Sequence, residues 1–217
     1  MGNSERPKQY LEIAGRTLLE WSLAPLLANS NIARIVVAVA ADDDYFSSLP
    51  LARDARVQRV AGGAERADSV RAGLIALANL AAADDFVLVH DAARPCLAAA
   101  DLERLIGELK DDAVGGLLAT PLVDTLKRSD EHGCVAQTVP RQGLWRALTP
   151  QMFRFAVLDR ALRTAAERHI VVTDEAQAVE MLGLKPKLIE GSSDNVKITT
   201  PPDFAHAQRV LSSRTLR

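Results

Sequence analysis

Cysteine is scarce in this chain: Cys96 and Cys134 are the only two among 217 residues. Two cysteines cannot build a disulfide scaffold, and these have no metal-ligand spacing. Long apolar runs are missing as well. Stretches such as Ile35 to Ala41 fall far short of the roughly 20 residues that a membrane span needs. The sequence has no positively charged start followed by an apolar segment, so no secretory signal is read. It also lacks a basic excess, since 26 Lys and Arg face 28 Asp and Glu for a formal net charge of -2. That disfavours a globally basic nucleic-acid binder but leaves room for a local basic pocket that holds phosphates. No internal repeat, low-complexity tract or Gly/Ser linker occurs. The expectation is a single cytoplasmic domain over 1–217, with neither nucleic acid nor membrane as partner. With 48% hydrophobic residues it can build a sizeable core.

What is present is an alternation of short β-branched runs and longer helical stretches. Thr17 to Leu27 carries Leu19, Leu23, Leu26 and Leu27 at helical spacing, with Pro25 inside it. Strands are predicted at 35–39, 86–89, 115–120 and 187–190. Helices are predicted over 69–80, from an Asp101 cap through Leu109, over 153–166 and 173–182, and from Pro201 to about Arg209. This alternation predicts an α/β fold, a mostly parallel sheet with helices on both faces. Between 123 and 150 the pattern breaks, and Val135 and Val139 alternate without a helical period. That stretch reads as an arm or hairpin projecting from the domain. In open sheets of this type ligands bind beyond the carboxyl ends of the strands, so the motifs there are the ones to read for chemistry.

Val87-Leu88-Val89-His90-Asp91-Ala92-Ala93-Arg94-Pro95 delivers a carboxylate at a strand end and a cation three residues later. A hard divalent ion takes one such carboxylate together with phosphate oxygens, and an arginine fork can hold a phosphate. The plain alternative is a strand-end Asp91 that closes a turn, with Arg94 as its ion-pair partner. His90 reads as a packed or supporting residue. Gly62-Gly63 lets the backbone approach a ligand ahead of a helix N-terminus, with Asp68 or Ser69 as ordinary caps in the plain reading. Lys8 beside Pro7 and Lys197 between Val196 and Ile198 could each meet phosphate or remain solvated, and Arg141 beside Pro140 reads as a solvated charge unless the arm reaches another subunit. Asp42-Asp43-Asp44 reads as a solvated loop.

Seven motifs occur in a fixed order: Pro7-Lys8-Gln9-Tyr10, Gly62-Gly63-x-x-Arg66-x-x-Ser69-Val70, His90-Asp91-Ala92-Ala93-Arg94-Pro95, Asp124-Thr125-Leu126-Lys127, Leu148-Thr149-Pro150-Gln151, Thr173-Asp174-Glu175-Ala176 and Asp194-Asn195-Val196-Lys197. Together, from Arg6 to about Arg209, they resemble the 2-C-methyl-D-erythritol 4-phosphate cytidylyltransferases. The resemblance implies a Rossmann-like sheet and transfer of a cytidylyl group from CTP to methylerythritol phosphate, with Mg²⁺ as cofactor and pyrophosphate released. The substrate phosphate would attack the α-phosphorus of CTP in line. It further implies that Lys8, Arg141 and Lys197 are catalytic. Lys8, Gly62, Gly63, Ser69, Asp91 and Ala92 would bind nucleotide. Asp91, Arg94, Thr125, Arg141, Thr149, Thr173 and Lys197 would bind the acceptor, and Asp91 the metal. Thr125 and Arg141 lie on the arm, which in this family crosses to the partner of a homodimer.

The family begins with a central strand and a Gly-rich loop that wraps the triphosphate, and this sequence starts at Met1-Gly2, where that loop would be ending. The expectation is therefore that neighbouring strands lack ladder partners and that turnover by the chain as written is impaired. Two other readings carry different expectations. A related nucleotidyltransferase would use another sugar or alditol phosphate, and a non-catalytic protein would bind CTP without releasing pyrophosphate.

Overall fold

The β-branched run at the first strong strand signal folds as expected, and the rest of the chain assembles around such strands. In a computed structural model, residues 7–215 are described. A short helical turn at Lys8–Tyr10 leads into a hairpin of β1 (Glu12–Ile13) and β2 (Arg16–Thr17), then α1 (Leu18–Ala28). Thr17 and Glu20 form a reciprocal capping box that fixes where α1 starts. There follow β3 (Ile35–Val39), β4 (Val57–Ala61), α2 (Arg66–Leu77), β5 (Phe86–Val89) and α3 (Ala99–Leu109). Next come β6 (Gly115–Pro121), β7 (Leu126–Ser129), β8 (Val135–Val139) and β9 (Trp145–Arg154). The chain closes with α4 (Phe155–Glu167), α5 (Glu175–Glu180), β10 (Lys187–Glu190) and α6 (Pro201–Thr215).

The main sheet has the order β10-β6-β9-β5, and β3-β4 form a separate parallel pair. β5, β6 and β10 run one way, and only β9 runs against them. Leu148 and Met152 of β9 pack on one side with Leu102, Leu105 and Leu109 of α3 and Leu19 and Leu23 of α1. Phe153 packs on the other with Leu158 and Leu162 of α4 and Val179 of α5. Helices thus cover both faces, which accounts for the apolar strands. A slot of about 670 Å³ lies between β3 and β5, lined by Val37, Leu88, Leu23, Leu26 and Leu74. Among the described residues no ladder joins those two strands.

Several boundaries differ from the expectation. β4 and β9 were not predicted as strands, and Phe153 belongs to β9 rather than to the following helix. Pro150 disguises β9, because a proline argues against a central strand. The ladder with β6 is irregular there: Leu117 pairs with Gln151 and Ala119 with Ala147, so residues 148–150 face the break and the missing N–H is not needed. Asp101 lies inside α3 rather than capping it, because its carboxylate accepts from the Ser192 amide and pairs with Arg104. The aspartate triplet is not wholly solvated. Asp43 is buried and accepts hydrogen bonds from the Tyr10 hydroxyl (2.7 Å) and the Phe46 amide.

The stretch after β6 contains the antiparallel β7–β8 hairpin, which leaves Val123 and Val135 exposed. Among the described residues no helix is long and apolar enough to cross a membrane.

Candidate active site

β5 ends at Val89, and the next two residues turn out of the sheet beside β9, whose Gln151 pairs with Val89. That pairing brings Thr149 against the turn. The Asp91 amide donates to Thr149 Oγ1 (3.1 Å), and Thr149 Oγ1 lies 2.8 Å from His90 Nδ1. His90 Nε2 lies 3.2 Å from the Arg94 carbonyl, an acceptor, so Nε2 carries the proton and Nδ1 accepts from the threonine hydroxyl. Burial lowers the His90 pKa to about 4, which keeps the ring neutral as this arrangement requires. His90 is a support for the turn, as its motif suggested.

The segment between β10 and α6 closes the other side. Asn195 Nδ2 donates to the Thr149 carbonyl (2.7 Å), Arg94 Nη1 to the Asn195 carbonyl (2.8 Å), and the Ile198 amide to the Ala93 carbonyl (2.8 Å). Ile198 is fully buried, while its neighbour Lys197 remains 42% exposed in its side chain and reaches Asp91 Oδ2 at 3.1 Å. Lys8 Nζ donates to the Ile198 carbonyl at 3.4 Å, so the early lysine also lies at this end of the sheet. Ser22 of α1 holds the Ala92 carbonyl (2.9 Å).

Asp91 is therefore a hub. Arg66 Nε approaches Oδ1 at 3.1 Å, and Arg94 Nε approaches Oδ2 at 3.5 Å beside Lys197. Burial alone would raise the Asp91 pKa, but Arg66 and Lys197 outweigh it and hold the carboxyl down to about 2. Three cations around one carboxylate leave a net positive pocket at the strand ends, which suits anionic ligands. Among the described residues no group of three or more His, Cys, Asp or Glu side chains is placed to cage a metal. Asp91 offers one hard oxygen donor, a donor set that fits Mg²⁺ held by one carboxylate, waters and substrate phosphates.

The Gly62-Gly63 turn stands ahead of α2. The Gly62 amide bonds to the Val39 carbonyl (2.7 Å) and the Gly63 amide to Ser69 Oγ (3.1 Å). A Cβ on Gly63 would lie 2.2 Å from that of Asp68, so a larger residue there would force the turn open. Ser69 thus ties the turn down instead of capping the helix, and Glu65 is the N-cap.

Not every expected residue meets at Asp91. Thr125 and Arg141 lie on the exposed arm, where Arg141 donates to the Val123 carbonyl. Thr173 is exposed and bonds Gln177 at the start of α5. Conversely, Arg66, Glu175 and Asn195 belong to the site but were not singled out. All three stand inside quoted motifs, yet the contacts that bring them here span 25 to 109 residues, which no local pattern reports. Cys96 is fully buried and its thiol is pushed up to about 11 by burial, so it is closed to the chemistry around Asp91.

A family model described as 2-C-methyl-D-erythritol 4-phosphate cytidylyltransferase matches residues 1–213. The protein of that name from Pseudomonas putida (strain GB-1) is 55% identical over 202 residues, covering 93% of this chain and 86% of the relative. The one from Pseudomonas aeruginosa (strain UCBPP-PA14) is 53% identical over 207 residues, covering 95% and 88%. Among solved structures, a 4-diphosphocytidyl-2C-methyl-D-erythritol synthase superposes with a TM-score of 0.86 at 42% identity, covering 94% of each chain. The cytidylyltransferase from Thermus thermophilus gives 0.81 at 30% identity, covering 95% of this chain and 94% of that one.

Proposed function

The chain belongs to the 2-C-methyl-D-erythritol 4-phosphate cytidylyltransferase family, and we propose that it performs this transfer at the Asp91 hub. The reaction joins CTP to 2-C-methyl-D-erythritol 4-phosphate and releases pyrophosphate, a step of isoprenoid precursor biosynthesis. The observation that carries the site assignment is the convergence of Arg66, Arg94 and Lys197 on Asp91 at the carboxyl end of β5.

Phosphoryl transfer asks the protein to align two anions and to stabilise charge on the phosphoryl oxygens. Lys8 neutralises charge on the triphosphate, and the Gly62-Gly63 turn with Ser69 offers backbone to the cytosine and ribose, next to Ala92. Arg94 and Thr149 hold the acceptor, with Thr173 at the rim. Lys197 exchanges its contact with Asp91 for the acceptor phosphate and aims one oxygen in line at the α-phosphorus. Asp91 would supply the protein oxygen for Mg²⁺, which when bound would offset phosphate charge. No proton needs to be removed from a phosphate oxygen that attacks as an anion, so the site requires no general base.

Thr125 and Arg141 complete the site of a second copy. The exposed β7–β8 hairpin with its apolar Val123 and Val135 supports an arm that docks on a partner in a homodimer. Mixing two impaired variants tests this. Arg141→Ala and Lys197→Met proteins, unfolded together and refolded, are expected to recover part of the turnover that each has lost alone. One mixed site then has an intact Lys197 from one chain and an intact Arg141 from the other. No recovery despite mixed dimers would place Arg141 in its own chain's site, or outside it.

A further inference from the structure

Arg66 opens α2 and Glu175 opens α5, and neither has a part in the transfer as described above. Their side chains nevertheless meet beside Asp91. Both terminal nitrogens of Arg66 donate to Glu175, Nη1 to Oε1 at 2.5 Å and Nη2 to Oε2 at 2.9 Å. Its Nε donates to Asp91 Oδ1 at 3.1 Å. Glu175 is 1% exposed in its side chain, so this is an ion pair at the base of the site rather than a surface contact. Burial pushes the Glu175 carboxyl up, and the guanidinium opposes that shift. Around α5 the chain is well anchored: Asp174 caps the helix by accepting from the Gln177 amide, and Gln151 of β9 bonds both Asp174 and the Ala176 amide.

The division of the guanidinium between the two carboxylates has a consequence. A guanidinium gains most from a two-pronged contact with one carboxylate. Here Glu175 takes that contact, and Asp91 receives a single N–H. Asp91 Oδ1 is thereby oriented but not covered, and the carboxylate keeps lone pairs for another ligand. With the Glu175 charge removed, Asp91 becomes the nearest anion for Arg66, whose fork would then cover Oδ1 and crowd Oδ2 beside Lys197 and Arg94.

We propose that Arg66 and Glu175 are positioning residues: Glu175 holds the guanidinium back so that Arg66 orients Asp91 without blocking it for a divalent cation. The proposal rests on the reading of Asp91 as the carboxylate that meets the ion. It predicts opposite effects for a single and a double substitution, which a merely structural pair would not give.

Binding of Mn²⁺ in the presence of CTP, followed through the free-ion paramagnetic resonance signal and taken as the excess over CTP alone, reads the site without turnover. Glu175→Gln is expected to weaken Mn²⁺ about tenfold, the usual range for a residue that supports a metal ligand. Arg66→Gln/Glu175→Gln removes the competing fork with the charge that restrained it, and should bind Mn²⁺ at least as well as the unaltered protein. Because it leaves no buried charge unpaired, the double variant also serves if Glu175→Gln does not fold. Its turnover should still fall, since Asp91 has lost its tether. Unchanged binding by Glu175→Gln, or a double variant weaker than the unaltered protein, overturns the proposal. Asp91→Asn separates the two readings. Normal Mn²⁺ binding by that variant, or none by the unaltered protein, would refute the role of Asp91 itself. Loss in Asp91→Asn with no change in Glu175→Gln refutes the clamp alone.

Discussion

Replacing Asp91 by asparagine is expected to lower turnover at least about a hundredfold, the scale on which a fixed electrostatic group acts in a transfer reaction. The same change should cost about 2–3 kcal/mol of stability. Its carboxyl drops from 3.8 to about 2 on folding, at about 1.4 kcal/mol per unit. Because the folded-state value is depressed, this contribution is complete above pH 4 and is lost as the pH falls through 2. Asparagine keeps the shape and the backbone bond to Thr149 but removes the negative charge that Arg94 and Lys197 share. Denaturant melts at pH 7 and pH 2.5 check the sign: the gap between Asp91→Asn and the unaltered protein should narrow at the lower pH. A variant equally active, or one whose deficit grows in acid, would contradict this.

Lys197→Met is expected to separate activity from stability. Methionine preserves most of the apolar stem and removes the ammonium, so alignment of the acceptor phosphate is lost, with about a hundredfold fall in turnover. The stability change should stay under about 1 kcal/mol, because the side chain is well over a third exposed and such pairs are weak. The buried anchors Asn195 and Ile198 on either side remain and hold the segment in place. Steady-state rates beside thermal melts are the check. A large loss of stability would mean that Lys197 chiefly holds the fold together, and an unchanged rate would remove it from the site.

Much of this arrangement can be read along the chain, and the rest cannot for definable reasons. β3 and β5 are legible because four or five consecutive β-branched or apolar residues, too few for a helix, have only a sheet to enter. Asp91 and Arg94 follow from position, a carboxylate and a cation at a strand end. β9 is hidden by Pro150, whose cost is removed by an irregularity that exists only once β6 lies beside it. Glu175 reads as a good residue for a helix's first turn and nothing more. Its partner Arg66 stands more than a hundred residues away in the chain, and only the packing of α2 and α5 against α4 brings them together. Thr149 is named through its motif as an acceptor contact, but its contacts with His90, Asp91 and Asn195 exist only in space.

The measurement that bears most directly on this account is pyrophosphate release by the purified protein with Mg²⁺ and each substrate in turn. Release is predicted to require CTP and 2-C-methyl-D-erythritol 4-phosphate together, and to be absent with CTP alone, with ATP, or with ribitol phosphate as acceptor. Undiminished release by the Asp91→Asn variant, or equal release with another alditol phosphate, would contradict it.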